Sequence, residues 1–529
     1  MRFLLYNWVP FDDPERRGGG VRVYQKNLVD YLVHHTEHDV VAVASGLEHD
    51  IIDRSFRIEE TQNEYPGRVR SFSIVNSPVM APGQHAFGSP EVFDESTLPH
   101  WHEFLGSLGP VDIVQFDTLE GIPIPFVRVH EVLPDAHVGV YLHNYYPVCP
   151  QVNLWKREAE HCADYHDGFD CASCLLHEVR PTEVLRAHQV SRVLRRAGVS
   201  PEGVTYKLAY RVYGRLRANR ERAGKLRRLV AQKVLDTPAP AHLANTNATE
   251  DMELRLPVPD PDHTLPVSLK TGSAAAAGDK FSFRREQAAA LVNREADVIL
   301  ATSRRVAEVA GARGLDRAKT ELAYIGTRVA DEVDRSRRRH ELAVPGELTM
   351  AYLGYMRRDK GFYFLVDALE RTQDELLSRL RLVIGAKMAD PQMERRLEAL
   401  SGRMRDILHI NGYEHDELPS LLRGVDVGLV PVQWEDNLPQ VAIEMVANGL
   451  PLVTSNRGGA QELGGTNSDF VFEATNRADF MRVLSRLADG EVSLDDYWAD
   501  AVELVNMDMH YRRLTDLYRS AGSTSAANG

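Results

Sequence analysis

Trp434-Glu435-Asp436-Asn437-Leu438-Pro439-Gln440-Val441-Ala442-Ile443-Glu444-Met445, followed by Gly449-Leu450-Pro451-Leu452-Val453-Thr454 and Gly458-Gly459, is the stretch on which this chain turns. It opens after an apolar run at 427–430 and enters a helix near Pro439. Asp436 and Glu444 therefore bracket a strand-to-helix turn, one on the loop and one inside the first helical turns. In an open parallel sheet such a turn lies at the carboxyl edge, where ligands bind. The helix start offers free N–H groups and partial positive charge, which suits a phosphate. Carboxylates on either side can grip vicinal hydroxyls, and phosphate between two polyols is the outline of a sugar nucleotide. The competing reading is a solvated acidic loop before an ordinary core helix.

Composition narrows the classes. At 529 residues the chain is long enough for two domains of ordinary size and an insertion. Hydrophobic content of 43% and charged content of 26% are those of a globular protein. A formal net charge of −14 argues against general nucleic-acid binding. No apolar run is long enough to span a membrane, and the first residues read as a buried strand rather than a signal peptide, so a cytoplasmic protein is expected.

Two series of short apolar runs alternate with helical patterns, as doubly wound α/β domains require. The first series is 3–6, 40–44, 70–74, 113–115, 138–142, 298–301 and 322–325; the second is 350–353, 380–384, 408–411, 427–430 and 452–454. Helices are expected at 21–33, 362–369, 392–400 and 494–518. An exposed linker at 329–347 separates the two series. Residues 149–293 interrupt the first, with a cysteine-bearing loop, a basic helical stretch and a Pro-, Ala- and Asp-rich segment at 236–278 read as a mobile loop.

Acid-x7-Glu, then a helix, a Gly-x-Pro-apolar strand and a Gly-Gly turn resemble the signature of retaining glycosyltransferases of family 4. The resemblance covers 1–148 loosely and 296–487 closely. It implies the α/β GT-B fold, two facing Rossmann-like domains with a helical insertion in the first. The expected division is an acceptor-side domain at 1–328 (insertion about 149–293), a donor-nucleotide domain at 329–490, and C-terminal helices crossing back with a tail at 491–529. That family usually has Glu at the first acidic position; here the spacing selects Asp436, with Glu435 one step early. The resemblance implies Glu444 on the donor ribose, Asp436 on the hexose, and Asn437 and Leu438 beside them.

Three further elements fit the same resemblance. Gly18-Gly19-Gly20 follows the first strand; consecutive glycines let a backbone approach a ligand and direct N–H groups at anions, or simply make a flexible turn. In the family such a loop lies against the donor diphosphate, which nominates Gly19 and Gly20. Gly354-Tyr355-Met356-Arg357-Arg358-Asp359-Lys360-Gly361 resembles the Gly…Lys-Gly element whose cations neutralise the departing nucleoside diphosphate. Breaking the anomeric bond builds charge on the β-phosphate, and a fixed cation stabilises it most in the transition state. Lys360 matches; Arg357 and Arg358 are both candidates for its helper, since Tyr355 stands where an arginine often follows the glycine. His143, at the end of a first-domain strand, matches a histidine facing the transferred sugar, against the alternative of a structural core histidine. Histidines common in the preceding strand are replaced here by Gln115 and Asp117. Glu462, after the Gly-Gly turn, is expected to hold local structure. Asp260-Pro261-Asp262 has metal-motif spacing without a preceding strand and reads as chance; the resemblance implies that cationic side chains and helix dipoles take the place of a divalent ion, so no cofactor is expected for catalysis.

All four cysteines, Cys149, Cys162, Cys171 and Cys174, fall in one short loop. Cys171-x2-Cys174 suits one side of a tetrahedral thiolate site and the other two could complete it, so a structural zinc is one reading. Free or redox-active thiols and an iron–sulfur cluster are the others; disulfides are disfavoured in a reducing compartment. The context also resembles a family 4 subset with such a loop. Residues 180–233 hold 15 Lys or Arg against three Glu, interleaved with apolar residues. They read as a helix docking on an anionic membrane surface, or as a solvated hairpin packed on the first domain.

The expectation is a retaining, metal-independent hexosyltransferase using UDP-, GDP- or ADP-hexose. Its acceptor would be a glycan or polyprenyl-linked glycan in cell-surface polysaccharide or glycoconjugate assembly, at the inner membrane face. The alternative is a catalytically silent sugar-nucleotide-binding or scaffold component of a glycan-assembly complex.

Overall fold

The computed structural model describes residues 1–175, 181–199 and 271–525. The chain divides into one unit of Met1–Arg192 with Ala275–Gly529 and a second of Val193–Ala274. Both large sheets belong to the first unit. Most of the basic stretch at 180–233, the Asp260–Asp262 motif and the last four residues lie outside the described residues.

The first sheet is built from β1 (Arg2–Asn7), β2 (Asp39–Glu48), β3 (Arg57–Thr61), β4 (Val69–Val75), β5 (Ile113–Phe116) and β6 (His137–Leu142). A two-stranded hairpin, β7 (Trp155–Lys156) and β8 (Glu160–His161), precedes its last members, β9 (Val298–Ala301) and β10 (Thr320–Leu322). The order is β10-β9-β6-β5-β1-β2-β4-β3. All pairings in it are parallel except β3 on β4. Strands β1, β2, β6 and β9 are almost wholly buried, as parallel strands covered on both faces must be. The antiparallel edge strand β3 is largely polar, Arg-Ile-Glu-Glu-Thr, which protects an open edge and explains why no apolar run announced it.

The second sheet holds β11 (Leu348–Tyr355), β12 (Leu380–Lys387), β13 (Asp406–Ile410), β14 (Val427–Val430), β15 (Leu452–Ser455) and β16 (Val471–Phe472), all parallel, in the order β13-β12-β11-β14-β15-β16. In each sheet the strand order reverses beside its first strand: between β1 and β5, and between β11 and β14. A crevice opens at the carboxyl ends of such a switch point. The two switch points deliver Gly18–Gly20, Asp117 and His143 from one lobe and Gly354, Lys360 and Asp436 from the other.

Two expected elements end differently. The strand expected at 322–325 lies instead at Thr320–Leu322 and ends where its partner β9 ends, at Ala301 opposite Leu322; beyond it the Tyr324 carbonyl is bonded by His510 Nδ1 at 2.8 Å. The expected helix at 494–518 is two helices, Leu494–Asp500 and Met507–Ser525, joined by an extended segment. The second packs on β6 and β9 of the first sheet and on the helix Gly19–His35. There Tyr518 donates to Gln115 Oε1 at 3.0 Å and the His510 Nε2 contacts the Tyr24 hydroxyl at 2.9 Å. Gly139 admits this contact: a Cβ there would lie 2.2 Å from the Tyr518 oxygen.

Candidate functional site

A cavity of about 500 Å³ lies between the carboxyl edges of the two sheets, in the range of ligand pockets. The first lobe contributes Trp8, Gly18, Gly20 and His143; the second contributes Arg357, Lys360, Trp434, Asp436, Asn437, Leu438 and Gln440. No side chain caps the start of the helix Gly19–His35 or of Gln440–Ala447, and both starts border the cavity. Their uncapped turns are where an anion is best received.

Lys360 and Asp436 meet across 76 residues of sequence, Nζ to Oδ2 at 2.6 Å. The ammonium also lies 5.1 Å from the centre of the Trp434 ring. Gly361 holds this arrangement: at φ 78° it starts the helix Phe362–Glu370, and a Cβ on it would fall 1.6 Å from the Pro431 carbonyl oxygen. Gly458 does the same from the far side, with φ 69° and a hypothetical Cβ 2.1 Å from the Asp436 carbonyl oxygen. Arg357 borders the cavity while pairing with Asp359 at 2.8 Å. Arg358 does not line it; its guanidinium sits 4.7 Å over the Tyr363 ring. Gly19 is likewise outside the lining, with Gly18 and Gly20 on either side of it. Glu444 lies one helical turn beyond the cavity wall, 3.7 Å from His415 Nδ1 and within electrostatic reach of Tyr413. Burial raises its carboxyl above the ordinary value.

His143 is packed between Tyr24 and Tyr141, with ring centres at 4.5 and 4.2 Å. Its Nε2 stands 4.0 Å from Asp117 Oδ1 and has no hydrogen-bond partner. Burial, then the neighbouring His510, lowers its pKa to about 3, so the imidazole is neutral over the physiological range. Asp117 is wholly buried and moves the opposite way, to about 7, although Gln115 and Gln25 both donate to it. Four side chains lining this one cavity keep a buried polar atom without a partner: His143 Nε2, Trp434 Nε1, Asn437 Oδ1 and Gln440 Nε2. Buried polar groups are ordinarily satisfied, and these four leave hydrogen-bonding capacity free around one space.

The acidic residue that spacing passed over, Glu435, has a separate task. It is fully buried and takes Arg305 of the first lobe bidentately at 2.6 and 2.8 Å, with Arg457 Nη1 at 3.1 Å and the Gly458 N–H at 3.0 Å. Burial would raise its pKa; the Arg305 pair and the other donors overcome this and take it to about 2. Glu462 accepts the Arg304 and Arg305 backbone N–H groups at 3.0 and 2.7 Å and the Tyr324 hydroxyl at 2.7 Å. It thus bridges the lobes as well as holding its own turn. Asn437 completes the seam, Nδ2 to the Leu142 carbonyl at 2.9 Å, one residue before His143. A doublet Glu-Asp before the helix was the sequence signal: one acid faces the cavity and the other fastens the lobes.

The cysteines are all buried and none is paired in a disulfide. Among the described residues no three His, Cys, Asp or Glu side chains stand at metal-coordinating spacing, and no helix is long and apolar enough to cross a membrane.

Residues 347–489, almost the whole second lobe, match the family of glycosyl transferases group 1. Spore coat protein SA of Bacillus subtilis is 28% identical over 187 residues, 32% of this chain and 50% of that protein. The chain thus spans about half the length of that relative. The lipopolysaccharide outer core galactosyltransferase WaaB superposes with a TM-score of 0.52 over 98% of this chain and 99% of its own, at 11% identity. HepE of Anabaena, solved with UDP, reaches 0.49 over 98% and 100% at 11% identity. The fold is GT-B, two facing Rossmann-like lobes, and its second lobe is the part similar in sequence to group 1 glycosyl transferases.

Proposed function

We propose that the chain is a retaining glycosyltransferase that moves a hexose from a nucleotide-sugar donor to a glycan or polyprenyl-linked acceptor. The observation that carries this is the set of four unpartnered polar atoms around a cavity whose second-lobe wall holds the Lys360–Asp436 pair. In this reading the diphosphate displaces Asp436 from Lys360, whose charge then meets the growing negative charge on the departing phosphate. Asp436, released, accepts hexose hydroxyls together with Asn437, and the uncapped helix start at Gln440 receives phosphate oxygens. Arg357 is the second cation, since it borders the cavity and Arg358 does not. Glu444 binds the ribose after a modest opening past Tyr413.

His143 acts as a neutral hydrogen-bonding group toward the hexose. Its lowered pKa suits that role and makes it a poor proton carrier. The acceptor enters from the first lobe beside Gly18–Gly20. Attack on the face the phosphate leaves, with that phosphate taking the acceptor proton, retains the anomeric configuration without a divalent ion. The acceptor would be assembled at the inner face of the membrane into cell-surface polysaccharide or glycoconjugate, with 180–233 as the docking segment.

Incubation of the pure protein with UDP-, GDP- and ADP-hexoses, followed by NMR, tests the reading: release of nucleoside diphosphate and an anomer of unchanged configuration are expected. A silent binding protein is the rival, favoured by the closed Lys360–Asp436 pair and the shortened acid. Tight donor binding with no turnover in the presence of candidate acceptors would establish it.

A further inference from the structure

The wall that the first lobe gives the cavity carries chemistry that the proposed donor contacts do not use. Among the described residues it contributes, Glu120 alone brings a charge, since His143 is neutral. Lys360, Arg357 and Asp436 all stand on the second lobe. Glu120 follows β5 and Trp8 follows β1, so both rise from the switch point of the first sheet. The backbone around Glu120 is fixed from several elements at once. The Tyr6 hydroxyl, on β1, donates to the Glu120 carbonyl at 2.5 Å. The Ser45 and Ser77 hydroxyls each donate to the Gly121 carbonyl at 2.7 Å. Gly121 takes φ 81°, and a Cβ there would fall 2.8 Å from the Ser45 carbonyl oxygen, so the turn needs glycine.

The carboxylate of Glu120 is only 3% exposed and is held by neutral donors. Its Oε1 accepts from Asn144 Nδ2 at 2.6 Å and from the Thr118 hydroxyl at 3.3 Å, and its Oε2 accepts the Gly83 N–H. A buried carboxylate is ordinarily paired with a cation, and none of these three partners is one. Burial raises its pKa and the three donors oppose the rise. With both oxygens already accepting, the group is set to accept rather than to donate. An ionised carboxylate accepts at about four sites, so three donors leave capacity for one more. Asn144 ties this group to the place proposed for the donor hexose, because it follows His143 and both border the cavity. Trp8, almost wholly buried, gives the same wall an aromatic surface suited to the C–H face of a sugar ring.

We propose that this wall is the acceptor subsite and that it selects a terminal sugar without an anionic group, which packs on Trp8 and donates a hydroxyl or ammonium hydrogen to Glu120. Its service to an acceptor rests on the transferase function proposed above; its selection among sugars does not. A uronic acid or a sugar phosphate brought to Glu120 sets like charge against like at a poorly solvated wall. No cation among the described lining residues of the first lobe offsets it. Lys360 and Arg357 are engaged by the donor diphosphate in the proposed reaction. Glu120 thus acts as a specificity-determining residue, by attraction of a hydrogen-bond donor and by repulsion of an anion.

Saturation-transfer NMR on the full-length protein without donor tests this, with methyl glycosides of glucose, galactose and mannose each set against the matching methyl hexuronide. The members of a pair differ only at C6, hydroxymethyl against carboxylate. At least one neutral glycoside should bind the wild type in the millimolar range, and its uronide about tenfold more weakly. Glu120→Gln should bring that pair to within about threefold of each other, by admitting the uronide. Trp8→Leu should weaken both members and keep their ratio, which reads the wall without altering Glu120. A uronide bound by the wild type as well as its neutral partner, no glycoside bound at all, or a ratio unchanged in Glu120→Gln would overturn the subsite. Neutral glycosides bound as expected by a protein that turns over no donor would leave the selection standing and defeat the transferase reading. Efficient transfer to a uronide-terminated acceptor would do the reverse.

Discussion

The two lobes meet the cavity with opposite chemistry. The second presents an ionised pair, Lys360 with Asp436, partly open to solvent and held by glycines at either side. The first presents a buried aromatic nest around neutral His143, backed by an Asp117 whose pKa is lifted toward neutrality. Charge is placed where a leaving phosphate would need it, and neutral hydrogen-bonding capacity where a sugar hydroxyl would. Under the proposed function the lobes would divide the work, joined at the Glu435–Arg305 seam.

Breaking the seam should have the largest effect. Arg305→Met leaves Glu435 as a buried charge with fewer partners, a change that costs about 3–5 kcal/mol. Thermal unfolding should fall by several degrees, and restoring neutrality with Glu435→Gln in the same chain should recover part of the loss. The acid limb gives a second check. The folded-state pKa of Glu435, about 2, lies below its ordinary 4.5, so its contribution is complete above pH 4.5 and is lost as the pH falls through 2. That contribution is roughly 3 kcal/mol, and the Glu435→Gln protein should show a correspondingly shallower decline in acid.

Removing the charge of the second lobe comes next. Lys360→Ala should lower transfer by about 10²–10³, the cost of deleting one donor to a developing anion, with the melting temperature little changed. Full activity in this variant would erase the distinction between the lobes. Gly458→Ala tests the same wall without touching a charge: its Cβ would strike the Asp436 carbonyl, and transfer and stability should both decline. His143→Ala is the mildest. Losing one neutral hydrogen bond should cost about 1 kcal/mol, a five- to tenfold drop, with no new pH dependence between pH 5 and 9. A His143 variant as inactive as Lys360→Ala would mean that the first lobe does more than position the sugar.

The legibility of the two lobes in the sequence follows the same division. In the second lobe β14 has the bounds read from its apolar run, and the acid, lysine and glycines that meet at the cavity belong to short local motifs. Parallel strands buried on both faces are legible because nothing polar interrupts them. The first lobe was harder. Strand β3 is Arg-Ile-Glu-Glu-Thr, and its pairing to β4 is a tertiary fact no periodicity shows. The strand read at 322–325 lies at Thr320–Leu322, its end set by the end of its partner β9 at Ala301, a tertiary limit no apolar run shows. The placement of His143 among Tyr24, Tyr141 and His510 depends on the last helix folding back across β6. The Arg305–Glu435 seam joins residues 130 apart; Glu435 stood inside the acidic motif, but Arg305 carried no signal.

Calorimetric titration of UDP-, GDP- and ADP-hexoses into wild-type protein and into Lys360→Ala puts the whole account to a single test. One donor should bind the wild-type protein with micromolar to submillimolar affinity, and Lys360→Ala should weaken it by about 10²-fold, as loss of a charge-assisted contact to a diphosphate requires. Equal affinity for wild type and variant, or no binding of any nucleotide sugar, would contradict it.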